Sequence, residues 1–248
     1  MIPALRPDKL LDDLDDNKEF IPWILKQRSQ HNAEVASMCM GAFVLAQTGL
    51  VDGKQCATLW AAMDLFKQLF PEVNLVSNKV VTDEEGIYSR GGAFSLLNLK
   101  LHLVEKYCGR GTAIYISKFI EIEFDRTDQN QFAIFQGQKD HEDETIKQAQ
   151  QFIEGNISKK ISVEQLANQY AISRRNFVRR FKKATQNTPS EYIQRVKVEA
   201  AKRSFESTSE NVNEVMYKVG YADEKAFRTI FKKYVGLSPV AYKVKYNR

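Results

Sequence analysis

The C-terminal part of the chain repeats itself at an offset of 50 residues, and this repeat constrains the fold more than any other feature. Over positions 177–192, six of sixteen residues recur 50 positions later, where chance would supply about one. The recurring pairs are Phe177 and Phe227, Phe181 and Phe231, Lys182 and Lys232, Lys183 and Lys233, Pro189 and Pro239, and Tyr192 and Tyr242. Upstream, Leu166 pairs with Met216, and Ala167 pairs more loosely with Tyr217. Two similar helical units are therefore predicted.

Each copy has the spacing of a helix-turn-helix. In the first copy Ser162 is expected to cap a helix, with Gln165 completing a capping box. The apolar face of this helix comprises Val163, Leu166, Ala167 and Tyr170. The residues Ala171-Ile172-Ser173 then form a short turn, and Ser173 caps the next helix. The inward side chains of that second helix are predicted to be Phe177, Phe181 and Ala184.

The second copy follows the same plan. Its turn is predicted at Gly220-Tyr221-Ala222, and Asp223 is expected to cap the helix that follows. The inner face of the helix before the turn comprises Val215, Met216 and Val219. The inner face of the helix after the turn comprises Phe227, Ile230, Phe231 and Tyr234.

The outward faces of the two second helices are rich in cations. The first presents Arg174, Arg175, Val178, Arg179 and Lys182, and the second presents Glu224, Lys225, Arg228, Thr229 and Lys232. Residues 141–248 hold 21 Lys and Arg against 12 Asp and Glu, whereas residues 1–140 hold 15 against 19. A helix fits the major groove of DNA, and arginine can bond guanine O6 and N7 together. A helical bundle with a solvated basic face is the alternative, but two matching copies favour double-stranded DNA as the partner.

A long helix is predicted between the copies. It begins at Pro189-Ser190 and runs to about Phe205, because proline and serine are typical of a first turn. One side of it presents Ile193, Val196, Ala200 and Phe205. A rigid helix here would hold the two recognition helices about 34 Å apart, so that they enter successive major grooves.

The N-terminal part reads as an α/β domain with a partial parallel sheet. Residues 1–20 are predicted to be an exposed loop or frayed helix start, followed by a helix over Phe20–Gln30. One strand is predicted over Ala33–Met38, and a pair of strands, Leu75–Asp83 and Gly86–Tyr88, is predicted around the acidic turn Asp83-Glu84-Glu85-Gly86. The predicted helices are Gly41–Thr48 and Ala93–Lys106. Three or four strands are fewer than the five or six of a mean sheet, so we expect the first strands to be missing.

The two domains are predicted to span residues 1–137 and 145–248. The polar residues 136–144 lack periodicity and are the best candidate for a linker between them. We expect no membrane segment, signal peptide, metal site or cofactor, because apolar runs are short and Cys39, Cys56 and Cys108 are widely spaced. A cytoplasmic location with reduced thiols follows from the same observations.

Cys39 is predicted to lie at a sharp turn between a buried strand and a helix that begins near Gly41. This is the geometry of a nucleophile elbow, and a thiolate is favoured at a helix N-terminus. A cysteine-dependent hydrolase or amidase is therefore the alternative function. A thiol without a positioned base is a poor catalyst, so a buried packing or ligand-lining cysteine is favoured over an enzyme.

Residues 145–248 resemble the C-terminal DNA-binding domain of the AraC/XylS family of bacterial transcription regulators. The second-copy signature, from Val219 through Gly220-Tyr221-Ala222 and Phe227 to Gly236-Leu237-Ser238-Pro239, carries the resemblance. It implies an all-α domain with two helix-turn-helix units joined by a long helix. The base contacts that the resemblance implies are Arg175, Val178, Arg179, Lys225, Ala226 and Thr229. The outward faces of the two helices add Arg174 and Arg228 as predicted base contacts. The expected phosphate contacts are Ser173, Lys182, Lys183, Ser190, Lys232, Lys233 and Ser238. The family often has arginine where Thr229 stands, so the second unit is expected to serve mainly as a phosphate anchor.

Residues 39–109 resemble the class I glutamine-amidotransferase-like (PfpI-type) domain that precedes the DNA-binding domain in one branch of these regulators. The matching stretches are Cys39–Ala46, Gly49–Gly53, Thr58–Trp60 and Arg90–Gly92. The resemblance implies a flavodoxin-like fold, a homodimer, RNA polymerase as a partner and a small nitrogenous metabolite as effector. The implied pocket comprises Cys39, Met40, Trp60, Arg90 and Gly91. Leu59 stands where this branch usually has a histidine, which argues against catalysis.

Overall fold

A computed structural model describes residues 1–76, 79–92, 95–124 and 129–247. The chain divides into two compact units, Met1–Asn130 and Gln131–Arg248. Among the described residues, no helix combines the length and the apolar character needed to cross a membrane.

The N-terminal unit is a mixed α/β structure with short strands. Its helices are α1 (Leu10–Asp16), α2 (Ile21–His31), α3 (Ala42–Gln47), α4 (Met63–Leu69), α5 (Ser95–Cys108) and α6 (Arg110–Phe119). Its strands are β1 (Val35–Ala36), β2 (Gln55–Cys56), β3 (Asn74–Leu75), β4 (Val81–Glu84) and β5 (Ile87–Arg90). One sheet has the order β1-β5-β4, and β2 pairs with β3.

The sheet is mixed, whereas the alternation of elements predicted a parallel one. Strand β1 pairs with β5 in parallel, with Val35 opposite Ile87, and β2 pairs with β3 in parallel. Strand β4 pairs with β5 antiparallel, because only the tight turn at Glu85-Gly86 separates them. The predicted strand over Leu75–Asp83 is wrong in extent: β3 ends at Leu75, β4 begins at Val81, and residues 77 and 78 lie outside the described residues. Its predicted pairing with Gly86–Tyr88 around the acidic turn is confirmed by β4 and β5.

The first residues are part of the core, which corrects the expectation of an exposed loop. The backbone of Ile2 bridges to Ser37 beside β1, and the Ile2 side chain is buried. In α1 the side chains of Leu10 and Leu14 are buried as well. The acidic side chains of α1 lie on its outer face, apart from that of Asp13, which pairs with Arg6.

Other N-terminal elements match their predictions in type and differ in extent. The predicted helix over Phe20–Gln30 is α2, and the one over Gly41–Thr48 is α3. The predicted strand Ala33–Met38 contains only the two residues of β1. The start of the predicted helix over Ala93–Lys106 lies outside the described residues, and α5 ends at Cys108.

In the C-terminal unit, the regular secondary structure of the described residues is helical. Its helices are α7 (Glu144–Gly155), α8 (Val163–Gln169), α9 (Arg174–Thr185), α10 (Pro189–Ser207), α11 (Val212–Lys218), α12 (Glu224–Val235) and α13 (Pro239–Tyr246). The predicted long helix is α10, and its N-cap is Thr188, whose side chain accepts a hydrogen bond from the backbone of Glu191 at 3.3 Å.

The long helix α10 belongs to both helix-turn-helix units. Its N-terminal half supplies Tyr192 and Ile193 to a core that is shared with α7, α8 and α9. Its C-terminal half supplies Val198, Ala201 and Phe205 to a second core with α11, α12 and α13. Each half of α10 therefore buries side chains in a different core, whereas the sequence predicted a single apolar side along the helix.

The segment 131–143 packs against the helices of this unit. The ammonium of Lys202 on α10 donates to the carbonyl of Ala133 at 2.6 Å. The backbone N–H of Phe135 donates to the carboxylate of Glu199 at 3.2 Å. Lys202 and Glu199 also form a buried ion pair with each other at 2.9 Å.

The polar residues predicted as a linker, 136–144, also form specific contacts. The Gln150 amide on α7 donates to the carbonyl of Gln138 at 2.7 Å, and Lys139 pairs with Glu154 at 2.7 Å. Composition predicted a linker because it does not reveal these contacts, which side chains of the following helix α7 make with the segment.

Candidate nucleic-acid interface

Both helix-turn-helix units begin with a capping box. In α8 the Ser162 hydroxyl accepts from the Gln165 backbone at 3.1 Å, and the Gln165 side chain accepts from the Ser162 backbone at 3.0 Å. In α11 Asn211 and Glu214 make the same two bonds, at 3.0 and 2.6 Å. The sequence predicted the first box, and the second carries the same pattern with asparagine as the cap.

The two capping boxes correct the upstream alignment of the repeat by one residue. Ser162 corresponds to Asn211, an offset of 49, and Leu166 therefore corresponds to Val215 and not to Met216. Tyr217, which had been paired loosely with Ala167, is 63% exposed. The second turn is one residue longer, which restores the offset of 50 at the caps Ser173 and Asp223.

The turns of the two units share a left-handed residue two positions after the end of the first helix. This residue is Ala171 in the first unit, with φ +52°, and Gly220 in the second, with φ +74°. In each unit the next backbone N–H donates back across the helix end, from Ile172 to Ala167 at 2.9 Å and from Tyr221 to Met216 at 3.0 Å. These are Schellman-type ends, and they set the direction of α9 and α12.

Helix α9 lies over the first core and turns its basic side chains to solvent. Phe177 and Phe181 are fully buried, as predicted. On the opposite face Arg174, Arg175 and Arg179 are exposed and Val178 is half-buried. The Ser173 hydroxyl caps α9 by accepting from the Asn176 backbone at 3.4 Å.

Helix α12 occupies the equivalent place over the second core. Its cap is Asp223, which accepts from the Ala226 backbone at 2.8 Å. Lys225, Ala226 and Thr229 are exposed. Arg228 is exposed too, but its guanidinium forms an ion pair with Glu224 one turn earlier. The outward face of α12 is thus less cationic than that of α9.

The residues predicted to contact phosphate lie at helix ends and on exposed flanks. The side chains of Lys182, Lys183, Lys232 and Lys233 are exposed in the last turns of α9 and α12. Ser238 caps α13 and accepts from the Ala241 backbone at 3.1 Å. Its equivalent in the first unit is Thr188, the cap of α10, and not Ser190, which is exposed two residues later.

A charged contact that the sequence did not reveal fixes α9 against α7. The guanidinium of Arg180 donates to both carboxylate oxygens of Asp143, at 2.9 and 2.7 Å. Asp143 also caps α7, and the nearby guanidinium lowers the pKa of its carboxyl group. Arg180 is therefore used in packing, while the neighbouring arginines remain exposed.

The N-terminal unit places Cys39 at a strained turn, as the elbow interpretation predicted. Cys39 has φ +54°, which is unusual for a residue other than glycine. A side chain on Gly41 would collide with the carbonyl oxygen of Pro3, so the close packing requires glycine here. Burial raises the pKa of the Cys39 thiol, although the positive charge of Arg90 acts in the opposite direction.

The predicted pocket residues are buried or half-buried, and the charge of Arg90 acts on Cys39. Met40, Arg90 and Gly91 are buried, whereas Cys39 and Trp60 are half-buried. A guanidinium nitrogen of Arg90 donates to the Gly92 carbonyl at 2.8 Å. A side chain on Gly91 would collide with Gln129, which is buried and was not predicted to belong here.

The three histidines of the sequence lie in three different environments. His102 pairs with Asp83 at 3.0 Å, and His31 is exposed at the end of α2. His141, in the C-terminal unit, bonds Gln150 at 2.9 Å. Within the described part of the chain, no group of three or more histidine, cysteine, aspartate or glutamate residues is arranged to hold a metal ion.

Two family models match the chain. Residues 166–245 match a helix-turn-helix domain, and residues 9–106 match the DJ-1/PfpI family. The first match covers most of both helix-turn-helix units and the second covers most of the α/β unit.

Curated relatives align with most of this chain. The transcriptional regulator GbdR of Pseudomonas aeruginosa (strain UCBPP-PA14) is 24% identical over 216 residues, which are 87% of this chain and 59% of GbdR. The transcriptional regulator ArgR of Pseudomonas aeruginosa (strain PAO1) is 25% identical over 216 residues, covering 87% of this chain and 65% of ArgR. The chain thus spans less than two thirds of the length of these regulators.

Among solved structures, the DNA-binding domain of AdpA in complex with a target DNA is 29% identical. The match covers 41% of this chain and 92% of that domain, with a TM-score of 0.40. The family matches and the curated relatives agree with the two architectures described above. Residues 9–106 thus match the DJ-1/PfpI family, and residues 166–245 match a helix-turn-helix domain of the AraC type.

Proposed function

We propose that the chain is a sequence-specific transcription regulator that binds double-stranded DNA through α9 and α12. The main observation in support is that each of two similar units buries one face of a capped helix and exposes the opposite face of that helix. Such a helix can enter the major groove, where every base pair has a distinct pattern of donors and acceptors.

The proposed base contacts divide between the two helices. On α9 they are Arg174, Arg175, Val178 and Arg179, and on α12 they are Lys225, Ala226, Arg228 and Thr229. Arg228 is the one arginine of α12 and is paired with Glu224, which supports weaker base recognition by that helix. We therefore propose that α9 supplies most of the discrimination between sequences and that α12 acts mainly as an anchor.

The proposed phosphate contacts flank these helices. They are Ser173, Lys182, Lys183, Ser190, Lys232, Lys233 and Ser238, to which the equivalence of the two units adds Thr188. Lysine ammonium groups and helix N-termini suit phosphate because both place positive charge or N–H donors near it.

The test compares Arg175→Ala and Arg179→Ala on a selected operator and on random duplex. Each variant is expected to lose about 1–3 kcal/mol of operator binding and much less on random duplex, because a base contact is lost. Arg203→Ala is the matched control, since Arg203 is an exposed arginine on α10 outside the recognition helices. Equal losses on both duplexes would reduce Arg175 and Arg179 to phosphate contacts.

For the N-terminal unit we propose an effector-sensing and dimerising role without catalysis. The strained turn at Cys39 and the action of the Arg90 charge on its thiol support a small ligand site there, which would also include Met40, Trp60 and Gly91. RNA polymerase as a further partner and a cytoplasmic location belong to the same proposal, since the curated relatives are transcription regulators. Sedimentation with candidate nitrogenous metabolites tests it, and a monomer under every condition would contradict the dimer.

A cysteine-dependent hydrolase is the second candidate, and the positive φ of Cys39 is the observation that favours it. The raised pKa of the Cys39 thiol weighs against it, because the thiolate is the nucleophile. Alkylation rates of Cys39 compared with those of the exposed Cys108 decide between the two. An ordinary or slow rate at Cys39, with no turnover of amides, is expected.

A further inference from the structure

A buried lysine in the middle of α10 joins the two helix-turn-helix units. Lys197 is 5% exposed, and its ammonium donates to three backbone carbonyls. These are the carbonyls of Lys159 at 3.0 Å, Val219 at 2.9 Å and Gly220 at 3.3 Å. Three acceptors match the three donors of an ammonium group, so its hydrogen bonding is complete.

The three carbonyls come from different units. Lys159 lies in the loop between α7 and α8, and Val219 and Gly220 follow α11 in the turn before α12. One side chain therefore holds a loop of the first unit against the turn that aims the second recognition helix. The first recognition helix is itself fixed to α7 through Arg180 and Asp143.

The junction is also tight at the backbone. Gly220 has φ +74°, and a side chain there would come within 2.5 Å of the Ser158 carbonyl and 2.6 Å of the Lys197 ammonium. The turn of the second unit can approach the loop of the first only because residue 220 is glycine.

Lys197 is a costly residue to bury. Among residues 1–76, 79–92, 95–124 and 129–247 no carboxylate forms an ion pair with it. Burial also lowers the pKa of its ammonium group. An apolar side chain of similar volume would avoid this desolvation cost, but it would leave the three carbonyls without the donor that holds them together.

We infer that Lys197 is a positioning residue that sets the orientation of α12 relative to α9, and thereby the spacing of the two base-pair sets that the chain reads. This inference rests on the DNA-binding function proposed above. Under this inference, the preferred distance between the two half-sites depends on a buried residue that makes no contact with DNA.

The experiment measures binding to duplexes that carry both half-sites, with zero to five base pairs inserted between them. For the wild-type chain, five inserted base pairs turn one half-site to the opposite face, so affinity should fall at least about tenfold. Lys197→Met should bind the uninterrupted site about tenfold more weakly and vary less than about threefold across the insertions. Its affinity for a single half-site should stay unchanged, and Lys197→Arg should recover part of the spacing dependence.

Lys202→Met is the matched control, because Lys202 is a second buried lysine on α10. Its ammonium donates to the carbonyl of Ala133 in segment 131–143 and to the carboxylate of Glu199 on α10. It should lower the melting temperature without flattening the dependence on spacing. If Lys197→Met gives no cooperative melt, Lys197→Gln replaces it, since the amide keeps two donors.

A variant at Lys197 that keeps the wild-type spacing profile overturns the inference. A wild-type chain that binds all duplexes equally, or none, overturns the proposed DNA-binding function instead. The wild-type profile therefore separates the two failures.

Discussion

The ion pair between Asp13 and Arg6 fixes the N-terminal loop to α1. The guanidinium of Arg6 donates to both Asp13 oxygens at 3.1 Å, and the Arg6 backbone donates to the same carboxylate at 2.9 Å. These bonds lower the pKa of Asp13 from 3.8 to about 2. The carboxylate thus fixes the loop that carries Ile2 to its place beside β1.

The lowered pKa predicts a defined pH dependence of stability. Because the folded pKa lies below the unfolded one, the contribution of Asp13 is complete above about pH 4 and is lost as the pH falls towards 2. Asp13→Asn should therefore lower the melting temperature at pH 7 and differ little from wild type near pH 2. Tryptophan fluorescence reports this unit alone, because Trp23 and Trp60 are the only tryptophans in the sequence.

The exposed Asp15 supplies the control for that measurement. Its ion pair with Lys18 lies on the surface, so Asp15→Asn should change the melting temperature very little at any pH. If Asp13→Asn and Asp15→Asn change the melting temperature equally at each pH, the proposed contribution of Asp13 to stability is wrong.

The left-handed residues after α8 and α11 form a matched pair for mutation. Ala171 carries a side chain at φ +52° and is exposed, so Ala171→Gly should stabilise the unit by up to about 1 kcal/mol. Gly220→Ala should destabilise it by at least about 2 kcal/mol, because the added carbon is both strained and crowded. Urea unfolding followed by circular dichroism measures both, and changes of the same sign would contradict the equivalence of the two turns.

Among the helices, α9 and α12 share a core pattern but differ in charge. On α12 the carboxylate of Glu224 both pairs with Arg228 and places negative charge on the face proposed to meet DNA. Glu224→Gln should therefore raise affinity about three- to tenfold at low salt, similarly for operator and random duplex. Glu142→Gln removes an equal charge from the exposed loop before α7 and should change binding less.

A gain confined to the operator would contradict that prediction. It would mean that Arg228, once released, reads a base and does not only attract phosphate. Titrations at several salt concentrations separate the two outcomes, because a new phosphate contact steepens the salt dependence by about one unit.

The helices of the C-terminal unit could be predicted closely because their signals are local. Ser162, Ser173 and Asp223 are caps that lie next to the helix they start, and the buried phenylalanines follow the helical period. The upstream register was wrong by one residue, since the longer second turn cannot be placed without the caps. Lys197 and Arg180 were missed because their partners are distant in sequence.

The strands of the N-terminal unit were harder to predict for the same reason. Strands β1, β2 and β3 are two residues long, so they carry little period, and their pairing depends on segments far along the chain. The turn at Cys39 was predictable because Gly41 and the neighbouring small residues mark it locally. The burial of Gln129 beside Gly91 had no signal in the sequence.

For the chain as a whole, the account rests on a division between an α/β unit and a basic helical unit. The net charge of residues 141–248 is +9, against −4 for residues 1–140. The central claim is that α9 and α12 occupy two major-groove segments on one face of a duplex.

Dimethyl sulfate protection on a selected operator tests this claim most directly, because the reagent methylates guanine N7 in the major groove. The account predicts two protected clusters about one helical turn apart, and loss of protection in only one of them for Arg175→Ala. Protection that is absent, or that Arg175→Ala and Lys225→Ala both leave unchanged, would contradict it.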